Sequence, residues 1–183
     1  EQRWFQQQNS SYGLMQQVAW GISQRLITLF SQQKIKKIAV CCGQGNNAGD
    51  GYLVAKYLKQ AGFQAHIYAA ELGNSKDLAS AVLEAQRVGV QFYSHFDFQS
   101  EYEVYIDALF GIGLNRQLAS DWQNVIHGIN RQNGLKISID IPSGLDANTG
   151  QPLPVAIKAD YTFTGLGLKA GLFTGQGKEY AGK

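Results

Sequence analysis

The sequence predicts an α/β protein, a Rossmann-like three-layer α/β/α sandwich with a mostly parallel central sheet. Three observations carry that reading. Short apolar runs alternate with stretches of helical spacing along most of the chain, the pattern of strands joined by crossover helices. One apolar run, Ile38-Ala39-Val40-Cys41, leads through a glycine-rich turn, Cys42 to Gly51, into the helical Tyr52–Leu58. Two later strands end in an aspartate followed by glycine-bearing loops, at Asp107 and Asp140.

Taken in order, Leu14, Val18, Ile22, Leu26 and Leu29 recur at helical intervals and give a first helix over about residues 12–31. Ile35 to Cys42 reads as a buried strand. A helix opened by Asp50 runs to Ala61 and stops at Gly62, and Gln64 to Ala70 is the next strand. Ser75 caps a helix with Leu78, Val82, Leu83 and Ala85 on one face, closed by Gly89. Strands follow at Val90–Tyr93 and Glu103–Asp107, a helix at Asp121–Asn130, and strands at Lys136–Ile141 and Tyr161–Thr164. The glycine-rich tail from Gly165 is expected to be loop and edge structure.

At 183 residues the chain fits one domain, 1–183, of ordinary composition: 44% hydrophobic, 16% charged, net charge +2. No basic excess points to nucleic acid, and no apolar run approaches the roughly 20 residues that cross a bilayer. The start, Glu1-Gln2-Arg3-Trp4-Phe5, has neither an initiator Met nor a leader pattern. The chain is therefore expected to begin and end inside a longer sequence. Gln6-Gln7-Gln8 is too short to count as low complexity. The two cysteines, Cys41 and Cys42, are adjacent and have no histidine at ligand spacing. They read as small core residues of a reduced, cytoplasmic protein, not as a zinc site. His66, His95 and His127 are scattered and read as surface or packing residues.

The chemistry concentrates at strand ends. Glycines between a strand and a helix let the backbone approach an anion, and the first N–H groups of the helix suit a phosphate. Cys42–Gly51 therefore reads as a nucleotide-phosphate site, against the bland reading of a turn that binds nothing. It is not a Walker loop, since no Gly-Lys-Ser/Thr follows, and the third Rossmann glycine would fall at Ala48. Ser143 is not a nucleophile elbow, because Ile141 stands where that motif needs glycine. Neutral oxygens from Asn47 and Ser143 with one carboxylate fit a monovalent cation better than magnesium or zinc.

Gly43–Gly51, Asp107-Ala108-Leu109-Phe110-Gly111-Ile112-Gly113 and Asp140-Ile141-Pro142-Ser143-Gly144-Leu145-Asp146 together resemble the YjeF N-terminal domain, the NAD(P)H-hydrate epimerase family. Leu14-Met15, Lys158–Thr162 and Lys169-Ala170-Gly171-Leu172 add to the likeness, which covers almost the whole chain in order. The resemblance implies an isomerase that interconverts the R and S epimers of hydrated NADH and NADPH. It implies dinucleotide contacts from Asn46, Asn47, Ala48, Gly49 and Asp50, from Gly111, Ile112, Gly113, Leu114, Asn115, Arg116 and Gln117, and from Asp140. It further implies a potassium ion (K+) on Asn47, Asp107 and Ser143. A fused C-terminal dehydratase, dependent on ADP or ATP, is a frequent partner in the family. Departures are Ala48, where glycine is usual, and Val18-Ala19-Trp20, where a small pair is usual and a homodimer contact is in question.

The substrate so implied is a hemiaminal, with a hydroxyl on the carbon next to the ring nitrogen. Asp140 is the expected general acid and base, with Asp107 as second choice. Two other function classes compete. A scaffold or binding module would be expected to have lost part of the set Asn46, Asn47, Asp50, Asp107, Asp140 and Ser143, all of which are present. A dehydrogenase would want the full glycine pattern and a ribose-binding acid, for which only Glu71 is placed.

Overall fold

The computed structural model describes residues 10–97 and 101–183. The N-terminal features read above, the missing leader pattern and the Gln6–Gln8 run, lie outside the described residues. Six parallel strands form one sheet in the order β3-β2-β1-β4-β5-β6. They are β1 Lys37–Cys42, β2 Gln64–Tyr68, β3 Gln91–Tyr93, β4 Val104–Ala108, β5 Leu135–Ile139 and β6 Tyr161–Phe163. Among the described residues the helices are α1 Ser11–Gln33, α2 Asn46–Gln60, α3 Lys76–Arg87, α4 Ser120–Asn130 and α5 Gly177–Ala181, with a 3-10 turn at Ala170–Leu172.

Period-two alternation sorts each central strand between two cores. Ile38, Val40 and Cys42 of β1 join Ile106, Ile137 and the inner faces of α1, α2 and α3. Ala39 and Cys41 face the other way, onto Tyr68, Tyr105 and Ile126 of α4. Both thiols are buried and free, and burial pushes both well above their usual range. They pack as the sequence suggested.

Two of the helices, α1 and α3, start where a side chain accepts from an orphan N–H group. Ser10 accepts from Gly13 N at 2.9 Å ahead of α1, and Ser75 accepts from Leu78 N at 3.1 Å ahead of α3. Several expectations shift. In α1 the buried stripe is Met15, Ala19, Ile22, Ser23, Leu26 and Phe30, so Leu14, Val18 and Leu29 sit at its margin. Leu83 faces solvent, because the inward face of α3 is Leu78, Ala81, Val82 and Ala85. The tail is less irregular than expected, since it holds the 3-10 turn and α5. Trp20 is exposed on α1. Among the described residues no helix is long and apolar enough to cross a membrane.

The sheet reverses its winding direction between β1 and β4, and the helices after these two strands, α2 and α4, pack on opposite faces. Open parallel sheets bind ligands at such a switch point, outside the carboxyl ends of the strands. The register pairs Cys41 with Asp107 and Asp107 with Ser138, so the ends of β1, β4 and β5 lie level.

Candidate active site

The turn after β1 is tighter than the sequence reading allowed. Helix α2 begins at Asn46, four residues before Asp50, so the polar residues occupy its first turn. Asn47 and Asp50, three apart, then share a helix face. Gly45 caps the helix in an extended conformation, and no side chain caps it. Gly43 is required for close approach: a Cβ there would lie 2.0 Å from the Leu109 carbonyl oxygen. Its own N–H donates to Ala108 O at 3.1 Å, locking the two loops together.

Behind the turn lies a buried polar knot. The Asp107 carboxylate accepts from Ser138 Oγ and Ser143 N at 2.8 Å, Ser143 Oγ at 2.5 Å and Leu109 N at 3.2 Å. Burial raises its pKa, and these donors oppose the rise. Ser143 Oγ accepts from Phe110 N at 2.8 Å, and Asn47 Nδ2 donates to Phe110 O at 3.0 Å. Asn47, Asp107 and Ser143 are thus joined through the backbone of Phe110. The Asn47 Oδ1 atom is buried and has no hydrogen-bond partner, an arrangement that costs about 1–3 kcal/mol if left so. Two ion pairs join described side chains, Lys56–Glu84 and Lys169–Asp140, and neither reaches Asp107. The Asp107 carboxylate, the Ser143 hydroxyl and the orphaned Asn47 oxygen are oxygens of the type that could hold a hard, weakly charged cation. Among the described residues no group of three His, Cys, Asp or Glu side chains could hold a metal.

In front of the knot a cavity of about 1500 Å³ opens. Asn46, Asn47, Asp50, Asp140 and the whole loop from Gly111 to Gln117 line it, so the separate sequence segments meet at one site. Ala48 and Gly49 turn inward, Ala48 into the core and Gly49 against Met15. Asp107 and Ser143 are buried and do not line the cavity. Gly111 keeps the floor open, for a Cβ there would sit 3.3 Å from Asn47 Cβ and 3.4 Å from Asp140 Oδ2. A smaller hollow of about 500 Å³, between α1 and residues 163–166, carries Arg25 and no carboxylate.

One functional residue escaped the sequence reading. Lys169 Nζ pairs with Asp140 Oδ1 and donates to Thr164 Oγ1 at 2.7 Å. It lines the same cavity with Leu166, Gly167 and Leu168. Its only signal was membership of the Lys169–Leu172 match, to which no role was attached. Asp140 itself adopts a left-handed backbone, φ 71°, rare for a side chain with Cβ and frequent at functional sites. Asp50 is pushed up to about 7, first by burial, then by the Asp140 charge, with Lys169 opposing.

The family profile described as YjeF-related protein N-terminus matches residues 11–171. The chain belongs to this YjeF-related family. An NAD(P)H-hydrate epimerase of Oenococcus oeni is 34% identical over 171 residues, which cover 92% of this chain and 81% of that protein. A bifunctional NAD(P)H-hydrate repair enzyme of Dictyoglomus turgidum is 31% identical over 175 residues, or 93% of this chain and 34% of the longer protein. The crystal structure of yeast ynu0 superposes with a TM-score of 0.77 at 18% identity, covering 86% of this chain and 71% of that one. That likeness shows the YjeF-related chain to share its fold.

Proposed function

We propose that this protein is an NAD(P)H-hydrate epimerase that equilibrates the R and S epimers of hydrated NADH and NADPH, a repair step for damaged cofactor. The observation that carries the proposal is the convergence of Asp50, Asp140 and Lys169 on the one cavity that also receives the uncapped start of α2. Family membership and the name of the Oenococcus oeni relative support the same reading.

The chemistry asks little of the protein. Protonation of the substrate hydroxyl lets the ring nitrogen lone pair expel water and form a planar iminium. Water then adds to either face and gives up a proton. Two carboxyls on one cavity can divide this work. Asp50, which keeps its proton up to about neutral pH, supplies the acid. Asp140, fixed by Lys169 and its own backbone, takes the proton from the incoming water. The reverse reaction exchanges the roles, and the proton passes between the two acids afterwards. The α2 N-terminus and Arg116, which line the cavity, would receive the pyrophosphate. Asn47 Oδ1, Asp107 and Ser143 would hold a potassium ion, which adds positive charge beside an anionic ligand and orders the strand ends.

The direct test is chromatographic: the R and S forms of hydrated NADH are followed after adding the protein. Equilibration well above the spontaneous rate is expected. No acceleration by folded protein would leave a binding module. A dehydratase specific for one epimer, on this chain or another, is the expected consumer of the product.

A further inference from the structure

The acidic end of the cavity accounts for only part of its volume. About 1500 Å³ is more than a hydrated nicotinamide needs, and drug-sized pockets run about 300–1000 Å³. Part of the remaining wall is aromatic. Phe110 and Trp122 both line the cavity, with ring centroids 5.0 Å apart and planes at 81°. Two rings at near right angles make a corner, in which a flat heterocycle stacks on one and meets the other edge-on.

Consecutive residues separate the two ends. At Gly111 the direction a side chain would take leads to Asn47 and Asp140, whereas the Phe110 ring lies against α4. The corner is also rigid. Phe110 is held through its N–H on Ser143 Oγ and its carbonyl under Asn47 Nδ2. Trp122 stands in the first turn of α4 and packs against Phe96, with centroids 6.1 Å apart. Next to it, Gln123 Nε2 donates to Leu118 O at 2.7 Å, and Leu118 N donates to Leu153 O at 2.9 Å, fixing the loop beneath. Leu114 and Leu118 line the cavity beside the two rings and belong to the same apolar cluster.

We propose that the Phe110–Trp122 corner is the purine subsite, where the adenine of the hydrated dinucleotide stacks. This rests on the epimerase reading and deepens it. The reacting ring goes to Asp50, Asp140 and Lys169, the pyrophosphate crosses the α2 N-terminus, and the adenosine end reaches α4. Both NADHX and NADPHX present the same purine, so the corner selects dinucleotides over mononucleotides.

The experiment uses ADP, which carries the purine and pyrophosphate without nicotinamide, and hydrated reduced nicotinamide mononucleotide as a shortened substrate. Trp122→Leu keeps apolar volume and removes the large ring; Trp122→Phe keeps an aromatic face. ADP is expected to bind the wild-type protein by calorimetry, with affinity about tenfold or more weaker in Trp122→Leu and within about threefold in Trp122→Phe, the scale of base–aromatic stacking. The ratio of kcat/KM for dinucleotide over mononucleotide should fall by the same factor. Equal ADP affinity in wild type and a folded Trp122→Leu, equal losses on both substrates, or no ADP binding to the wild type would each overturn the assignment. ADP binding is read without turnover. Trp122-dependent binding in a protein that does not epimerise would therefore sink the reaction and leave the purine site standing.

Discussion

Lys169 holds Asp140 by an ion pair to Oδ1, while the backbone of Asp140 is itself left-handed and its N–H donates to Phe163 O at 2.7 Å. The residue is thus fixed from both sides, by the neighbouring strand β6 and by Lys169, 29 residues later. A group so held loses little entropy in reaching a reacting atom.

Asp140→Asn is the cleanest probe of proton transfer. Asparagine tolerates the left-handed region as well as aspartate does. Thermal unfolding should therefore change little, while kcat for epimer equilibration falls by about 10²–10⁴. An unchanged kcat in the folded variant would remove Asp140 from the chemistry.

Lys169→Met should lower kcat more than it raises KM. It should also move the pH profile. Lys169 opposes the rise at Asp50, so its removal raises the pKa of Asp50 further and shifts the alkaline limb of the rate upward in pH. A profile that keeps its wild-type midpoints would separate Lys169 from Asp50.

Asp50 gives stability a pH dependence of definite sign. Its pKa is about 7 in the folded protein against an ordinary 3.8. Below 3.8 both states carry the proton and the site costs nothing. Between 3.8 and 7 the unfolded chain releases it and the folded one does not, so stability is lost across that window and is level above it. Asp50→Asn lacks the penalty. Its advantage in unfolding free energy should grow to about 2–4 kcal/mol by pH 8, measured by denaturant titration at pH 4 and pH 8.

Potassium in place of sodium should raise the melting temperature and tighten ligand binding, because a cation on the folded state alone stabilises it by mass action, about 2.7 kcal/mol at a hundred times Kd. Asn47→Ala removes the orphaned oxygen and should melt alike in both salts. Equal melting of the wild-type protein in both would count against the ion.

Gly43→Ala tests the contact between the β1 and β4 loops. The added Cβ meets the Leu109 carbonyl at 2.0 Å, where only backbone can yield. A loss of about 2–4 kcal/mol is expected in denaturant unfolding. Wild-type stability would mean that the loops separate freely.

Strand positions and layers were legible because a buried parallel strand writes itself as an unbroken apolar run, as at Ile38–Cys42; the spatial order of the strands was not read from the sequence. The α2 start was misplaced because Asn46 and Asn47 favour turns in isolation, and only the level ends of β1 and β4 draw them into the helix. Leu83 was assigned inward because a hydrophobic residue beside two others looks like part of a stripe, although helical geometry turns it 100° away from Val82. The convergence at Asp107 and Asp140 followed from strand ends alone. Lys169 did not, because its partner lies 29 residues away across a loop with no periodicity, and only tertiary structure puts the two together.

The order of the strands also sets the order in which the molecule can be made. As the nascent chain leaves the ribosome, β1, β2 and β3 can assemble with α2 and α3 over them, yet the β1 edge that receives β4 stays bare until residue 104 emerges. Lys169 arrives last of the residues at the acidic end. A chain stalled or clipped just short of it would present Asp140 without its tether, and would also lack the last residues, Tyr180 to Lys183, whose backbone bonds flank β6.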